Sequence, residues 1–320
     1  MAPTLIDSCC NVPPVSADYK STGKTVHVLT ETTNDYYSNP PYTPNSKNAV
    51  IVVHDAFGVH HPNVQQVADL FAQTLGYHVL VPDFYRSQKV DFAGGREAIM
   101  KFFTQFEYDE VVRGDLVKSV AWLKEEFGVD TVVVVGFCWG GRVVFRLGGD
   151  VGVVEGLEAV KAVATAHPSL LEASLGDKLN VPVALLPSKD EDSKLMDDVF
   201  EAVLKNPKAA KLSIHQRFDD MHHGWVGARG DYTNDLNNRR ATEALNLFAA
   251  FFRTVIKESA AAEVEKTAAP SAAPLRSKDS QSFNKVVTTK TSTFKVGDTV
   301  TKVETVTRTE YKPVADAAEN

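Results

Sequence analysis

The chain has 320 residues, of which 43% are hydrophobic and 23% are charged. This is an ordinary globular composition, long enough for one large domain with appendages or for two small domains. The formal net charge of -7 and the lack of any basic run or zinc-finger spacing argue against nucleic acid as a partner. The apolar stretches are too short to cross a bilayer, so no membrane partner is expected either.

The first ten residues lack the basic stretch followed by an apolar stretch that marks a signal peptide. The three cysteines, Cys9, Cys10 and Cys138, cannot build a disulfide scaffold, which is typical of proteins in a reducing compartment. These observations predict a cytoplasmic protein. The sequence carries no signal for an oligomeric state.

Short β-branched runs alternate with longer helical patterns between residues 24 and 257. The strand candidates are 25–30, 49–54, 78–81, 131–135, 162–166, 183–186 and 212–218, and helical patterns cover 63–75, 109–127 and 236–256. Continuous apolar runs such as Val132–Val135 are typical of parallel strands buried on both faces. The alternation predicts an α/β fold with a doubly wound, mostly parallel sheet, whose ligand sites lie at the carboxyl ends of the strands.

Three regions follow from the composition. Residues 1–19 form an N-terminal segment, 20–257 form the α/β domain, and 258–320 form a linker and tail. Ser259–Ser280 is rich in Ala, Ser, Pro and Lys, which is typical of a flexible linker. Val286–Tyr311 alternates roughly enough for a two-stranded ribbon, but an isolated hairpin is marginal in water. We therefore expect a disordered or loosely docked, low-complexity tail without catalytic residues.

The strongest local motif lies at Gly136-Phe-Cys-Trp-Gly-Gly141, between a buried strand and an apolar helical pattern. Strand, tight Gly-x-Cys-x-Gly turn and helix together match the nucleophile elbow of α/β-hydrolases, with Cys138 in place of serine. Glycine two residues before and after the nucleophile removes Cβ atoms that would collide in the turn. The helix N-terminus favours a thiolate, and the Trp139 N–H can donate to an oxyanion. The alternative is that Cys138 is a small buried hydrophobe.

An elbow hydrolase needs an acid and then a histidine later in the chain. His223 follows the last strand candidate and precedes the C-terminal helix, so it is the predicted general base, with His222 as a solvated neighbour. The orienting acid is expected after the strand at 183–186, where Asp190, Glu191 and Asp192 stand in a row. Spacing alone does not choose among the three. No His-Glu-x-x-His spacing predicts a metal, and no cofactor is expected.

The loop after the strand candidate at 49–54 holds two more candidates. The backbone N–H of Ala56 stands where the second oxyanion donor usually lies. Asp55 is an acid near the predicted mouth of the site, and a structural turn aspartate is an equally good reading of it.

These motifs together resemble the dienelactone hydrolase family (carboxymethylenebutenolidase-like) over most of residues 20–257. The Gly-Phe-Cys-Trp-Gly-Gly string is the most specific element. It is joined by an acid-x-Phe-Gly segment at 55–58, by Gly-Tyr-His-Val-Leu-Val-Pro-Asp-Phe-Tyr at 76–85, by Ala-His-Pro-Ser at 166–169 and by His-Gly-Trp at 223–225. The vicinal Cys9-Cys10 and the long chain resemble the fungal branch of the family.

The resemblance implies a Cys-His-acid triad that hydrolyses a small-molecule ester or enol-lactone through a thioester acyl-enzyme. It carries Cys138 and His223 over directly. Ungapped counting from Pro182 places Glu191 at the acid position, and a shift of one residue places Asp192 or Asp190 there. Asp55 falls where the family usually has a glutamate beside the resting cysteine. The resemblance also implies arginines that hold a substrate carboxylate, for which Arg229 is one candidate.

A second arginine, Arg86, is a weaker candidate for the same carboxylate. Two other functions fit the motifs. One is a catalytically idle hydrolase fold that binds a ligand or responds to oxidation through its thiol. The other keeps the enzyme but changes the reaction to acyl transfer or C–C bond cleavage, which the same fold supports.

Overall fold

A computed structural model describes residues 13–268, 283–296 and 299–313, with side chains described as far as residue 264. The chain divides into two compact units, residues 1–266 and 267–320. The first unit is an α/β domain built on one large sheet, and the second contains a two-stranded sheet.

Eight strands form the sheet of the first unit. They are β1 Lys24–Val26, β2 Asp35–Ser38, β3 Asn48–Val53, β4 His78–Val81, β5 Thr131–Phe137, β6 Val160–Ala166, β7 Val183–Leu186 and β8 Ile214–His215. Their spatial order is β1-β2-β4-β3-β5-β6-β7-β8. The β1–β2 and β2–β4 pairs are antiparallel, and the remaining pairs are parallel. The predicted mostly parallel sheet is confirmed.

Six α-helices connect or flank these strands in the described part of the chain. They are α1 Pro62–Leu75, α2 Gly95–Phe103, α3 Arg113–Phe127, α4 Trp139–Asp150, α5 Ser193–Lys205 and α6 Asp235–Ala268. Short 3₁₀ turns cover Thr104–Phe106 and Ala173–Lys178, and a π-helical turn at Tyr108–Val112 leads into α3.

Both faces of the sheet are buried, because successive side chains of a strand point to opposite sides. On β3, Ile51 and Val53 belong to one core cluster, with apolar residues of α3, α4 and α5. Val50 and Val52 belong to the other cluster, with residues of α1 and α6. The doubly wound arrangement predicted from the apolar strand runs is therefore present.

Strand β2 is absent from the predicted set, because its sequence Asp-Tyr-Tyr-Ser has no β-branched residue. Its residues are nevertheless fully buried, since long-range partners satisfy their polar groups. The Tyr36 hydroxyl donates to Asp69 at 2.7 Å, and the Tyr37 hydroxyl lies 2.7 Å from Nδ1 of His78. Helix α2 is also absent from the prediction, and the strand predicted at 212–218 is shorter, Ile214–His215.

The structure adds contacts and helical residues beyond both ends of the predicted domain, whose bounds stay a prediction. At the amino end, Val15 donates its N–H to the Ala228 carbonyl at 3.0 Å and the Tyr19 hydroxyl donates to Asp69 at 2.8 Å, so both residues of the predicted N-terminal segment contact the domain. At the other end, α6 continues to Ala268, eleven residues past the predicted end at 257. Its alanine- and glutamate-rich sequence favours helix, which explains the extension.

The second unit contains the predicted ribbon as β9 Phe283–Val296 and β10 Thr299–Pro313, paired antiparallel. The description of the tail as disordered or loosely docked stays a prediction. The rest of the predicted linker and tail, residues 269–282, 297–298 and 314–320, lies outside the described residues, as do residues 1–12 with Cys9 and Cys10.

Candidate active site

Sheet register brings four loops to one edge of the sheet. Val53 at the end of β3 pairs with Gly136 of β5, Phe137 pairs with Ala166 of β6, and Ala166 pairs with Leu186 of β7. Because these strands are parallel, the loops that follow β3, β5, β6 and β7 all open at the same side. The candidate residues at 55–56, 138–139 and 190–192 are therefore neighbours in space.

Cys138 lies in a strained turn between β5 and α4, with φ 55° and ψ -114°. This conformation costs a non-glycine residue on the order of 1–3 kcal/mol, and it persists only where surrounding contacts hold it. A Cβ on Gly136 would lie 2.2 Å from the Gly140 carbonyl oxygen, and a Cβ on Gly140 would lie 2.5 Å from the Val53 carbonyl oxygen. The predicted reason for the two glycines, close backbone packing under the turn, is present in the structure.

The thiol of Cys138 is nearly closed to solvent, with 4% of the residue exposed. Its Sγ lies 3.7 Å from Oγ of Ser169, on the loop after β6. The carbonyl of Cys138 accepts the N–H groups of Gly141 and Ser169, each at 2.9 Å. Trp139 is the first residue of α4, where helical N–H groups have no partner within the helix.

His223 is the histidine that reaches Cys138. It lies in the loop between β8 and α6, is buried, and is hydrogen-bonded to the Cys138 thiol. Its Nδ1 lies 2.7 Å from Oε1 of Glu191. Burial disfavours the charged ring, but the negative charge and hydrogen bond of Cys138, and then those of Glu191, outweigh it and raise the pKa of His223 to about 9. The contacts of His223 with Cys138 and Glu191 thus favour the charged form of the ring.

The three consecutive acids have three different surroundings. Glu191 is 2% exposed and spans His223 Nδ1 and the backbone N–H of Ser188 with its two oxygens. Asp190 accepts the backbone N–H of His223 at 2.8 Å. Asp192 caps α5 by accepting the Leu195 N–H at 2.7 Å. Of the three, Glu191 is the acid in contact with the His223 ring.

Asp55 is buried beside Cys138, at the start of the loop after β3. Its carboxylate accepts the N–H of Phe57 at 2.9 Å and the N–H of Ala228 at 2.8 Å. Burial and then the negative charge of Cys138 raise the pKa of Asp55 to about 6, against the opposing effect of the two N–H groups and of Arg229. Ala56 follows it directly and is 5% exposed.

The two candidate arginines differ in placement. Arg229 is 3% exposed, its guanidinium lies 5.1 Å from the centre of the Phe57 ring, and its charge acts on Asp55. Arg86 instead forms a bidentate pair with Asp115 of α3, at 2.7 and 2.9 Å, and donates to the Phe84 carbonyl at 2.9 Å. These contacts hold the loop after β4 to α3, and the predicted contact of Arg86 with substrate stays a prediction.

Aromatic rings pack along one side of the elbow. Trp139 lies 5.0 Å from Tyr85 and 6.0 Å from Phe103, centroid to centroid. His54 packs against both Tyr85 and Trp139, with 4.6 and 6.0 Å between ring centres, and burial lowers its pKa to about 4, against the raising effect of its hydrogen bond to the Asp55 carbonyl. The rings thus form a buried aromatic cluster at the start of α4.

The loop after β6 supplies two buried groups to which the sequence reading assigned no role. Ser169 contacts the thiol, and His167 packs edge-to-face on His223 with 5.0 Å between centroids. Both ring nitrogens of His167 lack a hydrogen-bond partner in the described structure, and burial lowers its pKa well below 6.5. In the sequence, the feature that could have identified this loop is the Ala-His-Pro-Ser string at 166–169, which is part of the family resemblance.

Within the described residues, no group of three or more His, Cys, Asp or Glu side chains has an arrangement that could hold a metal ion. No helix in that part of the chain combines the length and apolarity needed to span a membrane.

Comparison with known proteins adds an independent line of support. The model of the dienelactone hydrolase family matches residues 35–256. An AIM2 family protein of Schizosaccharomyces pombe is 28% identical over 210 residues, which are 63% of this chain and 80% of the relative. The carboxymethylenebutenolidase homolog of Homo sapiens is 29% identical over 130 residues, 41% of this chain and 51% of the relative.

Among solved structures, a chain from Klebsiella pneumoniae assigned as a dienelactone hydrolase superposes with a TM-score of 0.57 and 19% identity. The match covers 72% of this chain and 98% of the other. At that identity the superposition demonstrates a shared fold.

Proposed function

The chain belongs to the dienelactone hydrolase family, a family of hydrolases acting on ester bonds, and from this premise we propose that it hydrolyses a small activated ester or enol-lactone with Cys138 as nucleophile. The proposal is carried by one observation, the continuous contact from Glu191 through His223 to the Cys138 thiol inside a strained elbow. This arrangement supplies a nucleophile, a proton carrier and an orienting acid in the order that covalent catalysis requires.

In the acylation step, the Cys138 thiolate attacks the carbonyl carbon and the carbonyl oxygen becomes negatively charged. We assign the oxyanion donors to the backbone N–H groups of Trp139 and Ala56, which stand on the two loops that flank the thiol. When the intermediate collapses, the C–O bond breaks and the leaving oxygen takes the proton from His223. The tetrahedral intermediate can also expel the thiolate and return to substrate. Acylation is therefore efficient only for an ester whose own leaving group departs as easily as the thiolate, such as an enolate or aryl oxide.

In the deacylation step, the change in charge at sulfur changes the behaviour of His223. Burial lowers the pKa of His223, and the negative charge of Cys138 is the largest influence that raises it. That charge disappears once the sulfur is part of a thioester. His223 then becomes a neutral base, takes a proton from water, and the hydroxide that forms attacks the thioester while the C–S electron pair returns to Sγ. The thiolate–imidazolium pair is restored at the end of the cycle.

The substrate side of the site is assigned to Arg229 and Asp55. Arg229 is a buried cation over the Phe57 ring, and its guanidinium is suited to receive the carboxylate of a substrate. The charges of both Arg229 and Cys138 act on Asp55, so the protonation of Asp55, with a pKa of about 6, sets the local charge that an anionic substrate meets. A lactone or ester that carries a carboxylate is the class of small molecule this pairing favours.

The decisive experiment is turnover of a panel of aryl esters and small lactones by the wild type and by Cys138→Ala. We expect the variant to lose activity and the wild type to show an acyl adduct on Cys138 by mass spectrometry with a slow substrate. The matched control is the double variant Cys9→Ala/Cys10→Ala, which keeps Cys138 as the single cysteine and should retain activity. Full activity in Cys138→Ala would overturn the proposal, and alkylation of Cys138 without any turnover would favour the redox-responsive alternative.

A further inference from the structure

The loop His167–Leu170 is held against the nucleophile elbow by hydrogen bonds and close packing. Two of its residues have positive φ without being glycine, His167 at 39° and Leu170 at 62°. Such conformations persist only where surrounding contacts over-determine them. Here the His167 N–H donates to the Leu186 carbonyl at 3.0 Å, and Pro168 packs where a Cβ on Gly141 would lie, 2.5 Å from the proline Cβ.

Two atoms of Ser169 approach Cys138. The Ser169 N–H donates to the Cys138 carbonyl at 2.9 Å, and its Oγ lies 3.7 Å from Sγ. Ser169 is 1% exposed, so water does not compete for the hydroxyl. The backbone bond fixes the position of the loop, which leaves the hydroxyl as a separate group directed at the reacting sulfur.

We propose that Ser169 is a further catalytic residue, whose hydroxyl donates a hydrogen bond to the Cys138 thiolate. This inference rests on the proposed function of Cys138 as nucleophile. A thiolate has no proton to give, so with sulfur ionised the direction of the bond is fixed from oxygen to sulfur. A thioester sulfur is a much weaker acceptor, so the bond is strong before acylation, weak in the acyl-enzyme, and strong again when sulfur departs.

The chemical consequence is a leaving-group effect in deacylation. As the C–S bond of the tetrahedral intermediate breaks, its electron pair goes to Sγ. The Ser169 hydroxyl then donates a hydrogen bond to the negative charge that develops on sulfur. His223 holds the proton that came from water, and no proton moves from Ser169. The hydroxyl therefore adds a second hydrogen-bond donor to the departing sulfur, beside the protonated His223 ring.

The test measures how fast iodoacetamide alkylates Cys138 as a function of pH, in the full chain, with the site of labelling located by mass spectrometry. In Ser169→Ala, which keeps the backbone bond, we expect the pH midpoint of alkylation to move upward by roughly 1–2 units, the size expected for one lost hydrogen bond to a charged group. Ser169→Thr keeps the hydroxyl and should restore a midpoint near that of the wild type.

Ser119→Ala is the matched control. Its hydroxyl is also buried and donates to the Asp115 carbonyl within α3 at 2.7 Å, so its loss reports the effect of removing any buried hydroxyl. An unchanged midpoint in Ser169→Ala, or an equal shift in Ser119→Ala, would overturn the inference. If Ser169→Ala does not fold, the pair Ser169→Thr and Ser169→Val, equal in size and different in the hydroxyl, decides the question by the same shift.

Failure of this inference is distinguishable from failure of the proposed function. Activity that survives in Cys138→Ala removes the nucleophile assignment, whatever the alkylation midpoints are. An inactive Cys138→Ala together with an unmoved midpoint in Ser169→Ala leaves the nucleophile in place and removes only the role of Ser169.

Discussion

Replacing Glu191 by glutamine should reverse the tautomer of His223. In the wild type, one carboxylate oxygen of Glu191 faces Nδ1 of His223 at 2.7 Å and the other accepts the backbone N–H of Ser188. The Ser188 N–H can only donate, so the single carbonyl oxygen of a glutamine has to face it. The amide NH₂ then points at Nδ1, which must accept, and the proton of the neutral ring moves to Nε2, on the side of Cys138. Such a ring cannot take a proton from water.

Two losses set the magnitude of this change. A hydrogen bond to a charged partner contributes roughly 1.5–3 kcal/mol, which is about 10- to 150-fold in rate if it is lost in the transition state. The wrong tautomer costs more, since the same acid-to-amide change in a serine triad lowers kcat by about 10⁴. Glu191 is 2% exposed, so water does not replace the lost acceptor. We expect kcat/KM to fall by about 10³–10⁴ with the fold intact.

The neighbouring acids provide controls with the same chemical change. Asp192→Asn keeps a good helix cap at α5, so activity and unfolding free energy should stay near wild type. Asp190→Asn retains a carbonyl oxygen that can accept the His223 N–H, so we expect less than about tenfold loss. The assay is turnover of an aryl ester, with thermal unfolding measured on each variant. Glu191→Gln within tenfold of wild type, or Asp192→Asn as damaged as Glu191→Gln, would refute the reasoning.

Three further predictions concern stability. Gly140→Ala should cost on the order of 3 kcal/mol in urea unfolding, because its Cβ would lie 2.5 Å from the Val53 carbonyl oxygen. Gly114→Ala, in α3 with nothing within 4 Å, should instead stabilise by up to about 1 kcal/mol, and a loss there would contradict the packing argument.

His54→Leu should flatten the pH dependence of unfolding. Burial lowers the folded pKa of His54 from 6.5 to about 4, so the unfolded chain binds the extra proton and stability is lost as pH falls below 6.5. Between pH 7 and 5 the free energy of unfolding should fall by about 2 kcal/mol more in the wild type than in His54→Leu. An equal fall in both proteins would contradict the prediction. Arg86→Ala should lower the melting temperature, because the bidentate pair with Asp115 is lost, while kcat/KM stays within a few-fold of wild type. A selective rise in KM would instead indicate that Arg86 binds the substrate.

Much of the fold was predictable because its signals are local. The continuous apolar run of β5 is buried on both faces whatever its neighbours are, and β4 and β7 have the bounds that their sequences predict. Strand β2 was not predictable, since its polar residues are buried only by virtue of distant partners such as Asp69 and His78.

The site residues likewise fall into those predictable from the sequence and those that required the tertiary structure. The sequence by itself determined the elbow, because strand, glycines, cysteine and helix are contiguous, and it determined the order in which His223 follows. Only the tertiary structure decided which of three adjacent acids touches His223, since loop backbone turns Glu191 inward and leaves Asp190 and Asp192 to backbone N–H groups. Ser169 reaches the thiol for a related reason, because parallel pairing of β5 with β6 sets two sequence-distant loops side by side.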